Sequence, residues 1–395
     1  MSAASRMRSA AEGEGRGTRH SPGAERSEGE PKAQPLLEVT DLVVEFRTSD
    51  GVVRAVDGLS YRVEAGRTLA IVGESGSGKS VSSLAVMGLL PPTARVTRGS
   101  AQLAGTDLLA LRPRQHRAYR GERVAMVFQD ALAALNPVHT VGYQLTEALR
   151  ARRGLSRADA RTRAIELLDL VKVPNAKARV KEYPHQFSGG MRQRVMIASA
   201  LAMDPEVLIA DEPTTALDVT VQAQVLHLLA EIQAERRMGL VLITHDLGVV
   251  AGVADDVTVM YAGSAVEQAP VGPIYAAPAH PYTRALLRSI PSTAGADRGT
   301  RRRLPVIPGR PPSPAARPSG CPFHPRCDVA QDLCRTAVPP LTSPAPARLS
   351  ACHFAADVLA NRPPRAAERR DDRPQAAETP TTPPFDEQVP GGDHE

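Results

Sequence analysis

The sequence predicts an α/β fold with a parallel core sheet and an antiparallel β subdomain ahead of it. Three observations lead there. Short, continuously apolar runs alternate with helical patterns, one early stretch alternates with period two, and the globular composition ends near residue 290.

The apolar runs are Thr68–Gly73, Arg123–Gln129, Val207–Asp211 and Leu240–Thr244. Runs of this length suit strands covered on both faces, as in a parallel sheet. Between them, Ser156 stands three residues before Asp159, the spacing of a capping box. Ala164, Leu167, Leu168 and Val171 follow at i, i+3, i+4, i+7, an amphipathic helix. Gln222–Ile232 reads as another helix. Strands alternating with helices imply α/β layering. Leu37–Phe46 and Val52–Val63 instead alternate with period two, as antiparallel strands do.

Composition bounds the rest. The 395 residues suffice for two domains or one large domain with appendages. Hydrophobic residues at 42% and charged residues at 23% are an ordinary soluble balance, and no apolar run reaches the roughly 18–20 residues of a membrane span. The net charge of +5 is too small to argue for nucleic acid as a partner. Residues 1–35 hold no Val, Ile, Leu, Phe, Tyr or Trp, so they are expected to be a disordered tail without a secretory signal. Residues 357–395 are expected to be a second such tail. Residues 36–290 then form the globular unit, and 291–356 a Pro/Arg-rich extension carrying all four cysteines.

Gly73, Glu74, Ser75, Gly76, Ser77, Gly78, Lys79 and Ser80 match G-x-x-x-x-G-K-[ST] between an apolar strand and a helical run. Glycines let backbone amides turn toward phosphate oxygens, and the helix N-terminus adds positive dipole. Lys79 would bind the β- and γ-phosphates of a nucleotide, and Ser80 would ligate Mg²⁺. Asp211 and Glu212 end an apolar strand. Asp211 can reach the Mg²⁺ shell, and Glu212 can polarise an attacking water as general base. Alone, these two carboxylates would read as an acidic N-cap. A kinase or a GTPase shares both motifs, so other residues must decide.

Phe187-Ser188-Gly189-Gly190-Met191-Arg192-Gln193 resembles the signature of the ATP-binding-cassette (ABC) family. In that family Ser188, Gly189 and Gly190 would serve the ATP held by the opposite subunit, from a helical subdomain at about 130–200. The resemblance implies further roles in family order. Gln129 would sense Mg²⁺ and the membrane partner, Asp218 would lie in the loop crossing the dimer interface, and His245 would contact the γ-phosphate. Phe46 would stack on adenine, or serve as an ordinary strand residue.

Several stretches are similar to ATPases of the oligopeptide/dipeptide importer subfamily: Leu135-Asn136-Pro137, Tyr183-Pro184-His185, His280-Pro281-Tyr282-Thr283, Ile307-Pro308-Gly309, Gly320-Cys321-Pro322-Phe323 and Arg326-Cys327. Gln186 stands where glutamate is common there, and Ala131 where proline often follows Gln-Asp. The resemblance implies an ATP-hydrolysing subunit at the cytoplasmic face of the membrane. Its partners would be two integral permeases, a second ATPase (a paralogue) and, indirectly, an extracytoplasmic solute-binding protein. Cargo could be peptides, nickel or another small solute. A non-transport cassette protein is the competing class.

Cys321, Cys327, Cys334 and Cys352 have the spacing C-x5-C-x6-C-x17-C. Four thiols in a segment with few apolar residues suit a [4Fe–4S] cluster or structural Zn²⁺, whose ligation could supply folding energy. Reduced thiols packed as small hydrophobes are the alternative. The resemblance implies a cluster in some relatives.

Overall fold

The computed structural model describes residues 35–49, 51–215, 217–290 and 306–361. All of the expected N-terminal tail but Pro35, and most of the C-terminal one, lie outside them. The chain is still helical over Ala355–Leu359, past the expected tail boundary at 357, because Ala355 and Val358 are buried there.

Two sheets carry the fold. The smaller one has the order β2-β1-β4-β5, made of β1 (Leu37–Thr48), β2 (Gly51–Val63), β4 (Ala94–Leu103) and β5 (Thr106–Asp107). β1 pairs antiparallel with β2 and β4, the arrangement that the period-two alternation predicts.

The larger sheet has eight strands in the order β11-β12-β10-β9-β3-β8-β7-β6. Its parallel part joins β3 (Thr68–Val72), β6 (Val124–Val127), β7 (Val207–Asp211), β8 (Gly239–Thr244) and β9 (Asp256–Tyr261). Every residue of β3, β7 and β8 is buried, which is why their sequences are unbroken apolar runs. β10 (Ser264–Pro270) turns back antiparallel to β9.

The extension is woven into this sheet. β12 (Arg348–Ser350) pairs with β10, and β11 (Thr342–Ala345) pairs with β12. Phe323 is 2% exposed and packs with Tyr261 and Tyr282 at centroid distances of 5.3 Å each. The seam also holds a buried ion pair. The Glu267 carboxylate accepts from the Ala279 and His280 amides at 2.6 and 3.0 Å and faces Arg348 at 3.6 Å. Sheet pairing, an aromatic plug and this pair anchor the extension. Removing one partner of a buried pair typically costs about 3–5 kcal/mol. Arg348→Met should therefore lower the thermal midpoint by several degrees in a melting experiment; an unchanged midpoint would remove the pair from the account.

Helices cover both faces. Val141–Arg153, Arg157–Leu170 and Gly189–Leu201 share one core with β6, β7, β8 and the Val219–Arg236 helix. Ser156 caps the Arg157–Leu170 helix by accepting from the Asp159 amide at 3.2 Å. The reciprocal bond of a capping box is replaced by Ser156 Oγ donating to Asp159 Oδ2 at 2.7 Å.

Candidate active site

The phosphate loop runs from the end of β3 into the Lys79–Val86 helix. Two of its glycines are sterically required. A Cβ on Gly73 would lie 2.3 Å from the Met260 carbonyl oxygen, and one on Gly78 would lie 2.5 Å from that of Ala55. Gly78 is also left-handed, with φ of 97°, and starts the helix without a side-chain cap. The first-turn amides are thus available to an anion. Lys79 is 4% exposed and its Nζ donates to the carbonyls of Gly73 and Glu74 at 2.7 and 3.0 Å. Burial lowers its pKa, against the nearby carboxylates of Glu212, Asp211 and Glu74. Ser75 and Gly76 are exposed at the loop's tip, whereas Ser77 is buried.

Ser80 Oγ donates to Asp211 Oδ1 at 3.0 Å, so the hydroxyl and the carboxylate form one oxygen cluster. Burial raises the pKa of Asp211. A divalent cation is a fitting occupant of such a hard-oxygen pair.

Glu212 is the hub of the site. Its Oε2 accepts from Gln129 Nε2 at 3.1 Å and from Thr215 Oγ1 at 3.0 Å, while His245 Nδ1 lies 3.4 Å from Oε1. Its backbone is left-handed, with φ of 44°, and its amide donates to the Ile243 carbonyl at 2.9 Å. A non-glycine residue held in that region is a local strain of the kind found at functional positions. Carboxylate, amide and imidazole are brought together from β7, the end of β6 and the end of β8, three strands far apart in sequence.

The chain matches the family description "ABC transporter" over residues 56–215 and "Oligopeptide/dipeptide transporter, C-terminal region" over residues 266–334. It is 50% identical over 322 residues to the oligopeptide transport ATP-binding protein OppD of Salmonella typhimurium, covering 81% of this chain and 94% of that protein. To the dipeptide transport ATP-binding protein DppD of Escherichia coli it is 49% identical, covering 82% and 97%. This chain belongs to the ATP-binding subunits of ABC transporters, in their oligopeptide/dipeptide branch. It is an ABC-type ATPase. Among solved structures, the dimeric cassette MJ0796 bound to ADP and phosphate aligns with a TM-score of 0.54 at 25% identity, covering 60% of this chain and 98% of that one. The cassette cbiO1 of Clostridium perfringens aligns at 0.52 and 28%, covering 61% and 91%.

The remaining ABC elements lie away from the hub. Ser188 caps the Gly189–Leu201 helix, accepting from the Met191 amide at 3.4 Å, and Ser188 and Gly189 are exposed. Gly190 must be small, since a Cβ there would meet Val221 at 2.5 Å. Asp218 caps the Val219–Arg236 helix through the Thr220 and Val221 amides, both at 3.0 Å, and is exposed beside Val219, which is 82% exposed. Among the described residues, no hydrogen bond joins Ser188–Gly190 to the phosphate loop of the same chain. Phe46 is half-buried on β1, paired with Val53 and Ala94 and packed against the core.

Cys321, Cys327, Cys334 and Cys352 line one small pocket with His280, Phe323 and His353. Among the described residues, however, no group of three or more His, Cys, Asp or Glu side chains is arranged to hold a metal ion. Burial in this apolar lining pushes the Cys327 thiol up to about 12 and the Cys352 thiol up to about 11. The four thiols thus converge on one pocket without forming such a ligand set.

Four contacts at the site were not foreseen from sequence. Thr215 bonds Glu212; Tyr282 and Arg326 bond Glu74; Arg317 bonds the Asp57 carboxylate at 3.0 Å. Tyr282 and Arg326 stand in motifs singled out above, but spacing alone assigns them no partner.

Proposed function

We propose that this chain hydrolyses ATP to power peptide import through a membrane ABC transporter. The Glu212 hub carries the reading: a strained carboxylate in contact with Gln129 and His245, on the strand whose preceding residue, Asp211, meets Ser80 of the phosphate loop. Gly73 to Ser80 would cradle the phosphates, with Lys79 leaving the loop carbonyls for the β- and γ-phosphate oxygens. Mg²⁺ would be held by Ser80 and Asp211 with Gln129 nearby, and would neutralise charge on the phosphates. Glu212 would take a proton from the attacking water, and His245 would stabilise the γ-phosphate.

Ser188, Gly189 and Asp218 face solvent, with Gly190 half-buried against Val221, the placement expected of groups that complete the ATP site of a second cassette. That cassette would be a paralogous ATPase, as in the importer pairs this branch resembles. An open groove lined by Met87, Met126, Phe128, Leu135, Gln144 and Met196 supports docking of two integral permeases at the cytoplasmic membrane face, fed by an extracytoplasmic binding protein. Among the described residues, no helix is long and apolar enough to cross a membrane. Peptide cargo is supported by what the relatives OppD and DppD are named for.

Co-expression with candidate permeases of this transporter branch tests this reading. The chain should co-purify with them and show peptide-stimulated ATPase activity; isolation on ribosomes or nucleic acid instead would overturn it. Phe46→Ala should weaken ATP binding about 5- to 150-fold if the ring stacks on adenine, a contact of about 1–3 kcal/mol. Unchanged affinity would return Phe46 to a strand role. For the cysteine pocket, the finer reading is a [4Fe–4S] cluster, about four irons per chain. Colourless, iron-free, folded protein from anaerobic purification would discard it.

A further inference from the structure

The extension reaches the phosphate loop. Arg326 lies on the short turn His324–Arg326, and its side chain is 5% exposed. Its Nη1 donates to Glu74 Oε2 at 2.6 Å and its Nη2 to Glu74 Oε1 at 2.9 Å, a two-pronged pair across 252 residues of sequence. The guanidinium is itself fixed. Its Nε donates to the Pro308 carbonyl at 2.9 Å, Nη1 reaches the Tyr261 hydroxyl at 3.3 Å, and the group lies 5.8 Å from the Tyr261 ring centroid.

Glu74 is the second residue of the loop, and each of its polar groups is engaged. The carboxylate meets Arg326, the amide donates to the Tyr282 hydroxyl at 3.0 Å, and the carbonyl accepts from Lys79 at 3.0 Å and from the Ser77 amide at 3.2 Å. The same backbone that holds Lys79 is therefore tethered at its side chain by the extension. A second brace runs in parallel. Arg317 donates to the Arg54 carbonyl at 2.6 Å and to Asp57, whose amide donates to Gly263, whose amide in turn donates to the Ser77 carbonyl at 3.0 Å.

We propose that the extension is a working part of the ATP site in cis, and that Arg326 is a positioning residue that sets nucleotide affinity through Glu74. Two physical effects combine. A bidentate guanidinium–carboxylate pair fixes direction as well as distance, so it holds the loop in its phosphate-receiving shape before nucleotide arrives. It also neutralises a carboxylate that would otherwise repel the phosphates across a partly buried site. Neither effect touches Glu212, so the chemical step itself should be spared. The proposal rests on the ATPase reading of the site.

The test uses the full chain in complex with its permeases. ATP affinity is measured by equilibrium titration, and KM and kcat by phosphate release, for wild type, Arg326→Ala, Arg326→Lys, Glu74→Ala and the Arg326→Ala/Glu74→Ala double variant. Arg326→Ala should weaken ATP binding and raise KM about 10- to 100-fold, the scale of one charge-assisted hydrogen-bond pair, with kcat within about twofold. Arg326→Lys keeps the charge but loses the fork, so its shift should be intermediate. The double variant should be no worse than the more affected single variant, since both substitutions remove one contact. Unchanged affinity in Arg326→Ala, a fall in kcat at constant KM, or additive losses in the double variant would overturn the proposal. If Arg326→Ala fails to fold, Arg326→Lys carries the decision: a KM equal to wild type sinks the proposal, a raised KM at constant kcat supports it. Wild-type protein that binds no ATP would refute the functional reading instead, so the two failures are distinct.

Discussion

Glu212→Gln should bind ATP with near wild-type affinity and release phosphate about 10²–10⁴-fold more slowly, the usual cost of losing a positioned general base. The amide is almost isosteric, so Gln129, Thr215 and His245 keep a neighbour of the same shape. Only the capacity to accept a proton disappears. Binding is read by nucleotide titration and turnover by phosphate release on the same preparation. Equal turnover in both proteins would remove Glu212 from the chemistry, and lost binding would make it a ligand-holding residue.

Lys79→Ala should fail earlier, at binding. Its ammonium is buried and held by the Gly73 and Glu74 carbonyls, so it is aimed across the loop before any phosphate enters. A hydrogen bond to a charged group contributes about 1.5–3 kcal/mol, so losing contacts to two phosphates should weaken ATP binding by about two orders of magnitude or more. Equilibrium titration checks this, and near wild-type affinity would contradict it. The two variants separate loop from base: one loses affinity, the other only rate.

The parallel core was legible because burial on both faces leaves no polar positions in β3, β7 and β8. Boundaries were less so. β6 stops at Val127 rather than Gln129, since Phe128 and Gln129 leave the sheet for an exposed edge, and Arg123 turns aside to pair with Glu206 at 2.7 Å. The Val219–Arg236 helix begins three residues before the expected Gln222, because the Asp218 side chain caps it there. β11 and β12 left no pattern: one contains Pro344, the other has three residues, and both lie at the sheet's end, where packing asks little of sequence.

The site shows the same division. Motif chemistry pointed to Lys79, Ser80, Asp211 and Glu212, and the family resemblance to His245; the fold does bring Ser80 onto Asp211 and His245 beside Glu212. Arg326 and Tyr282 stood in quoted motifs but could be given no partner, since Arg326 meets Glu74 only once the extension folds back over the loop, and Tyr282 only once the Pro281–Arg288 helix packs beside it. The four cysteines gave the opposite outcome. Their clustering in sequence does become a shared pocket, though among the described residues not a formed metal-ligand set.

The central claim is that hydrolysis at the Glu212 hub drives import. The direct measurement is uptake of a labelled peptide by vesicles carrying this chain with the proposed permeases, second ATPase and binding protein, supplied with ATP. Wild-type vesicles should accumulate peptide in proportion to phosphate released, and Glu212→Gln vesicles should accumulate none above the ATP-free background. Undiminished uptake by the Glu212→Gln vesicles would contradict the account.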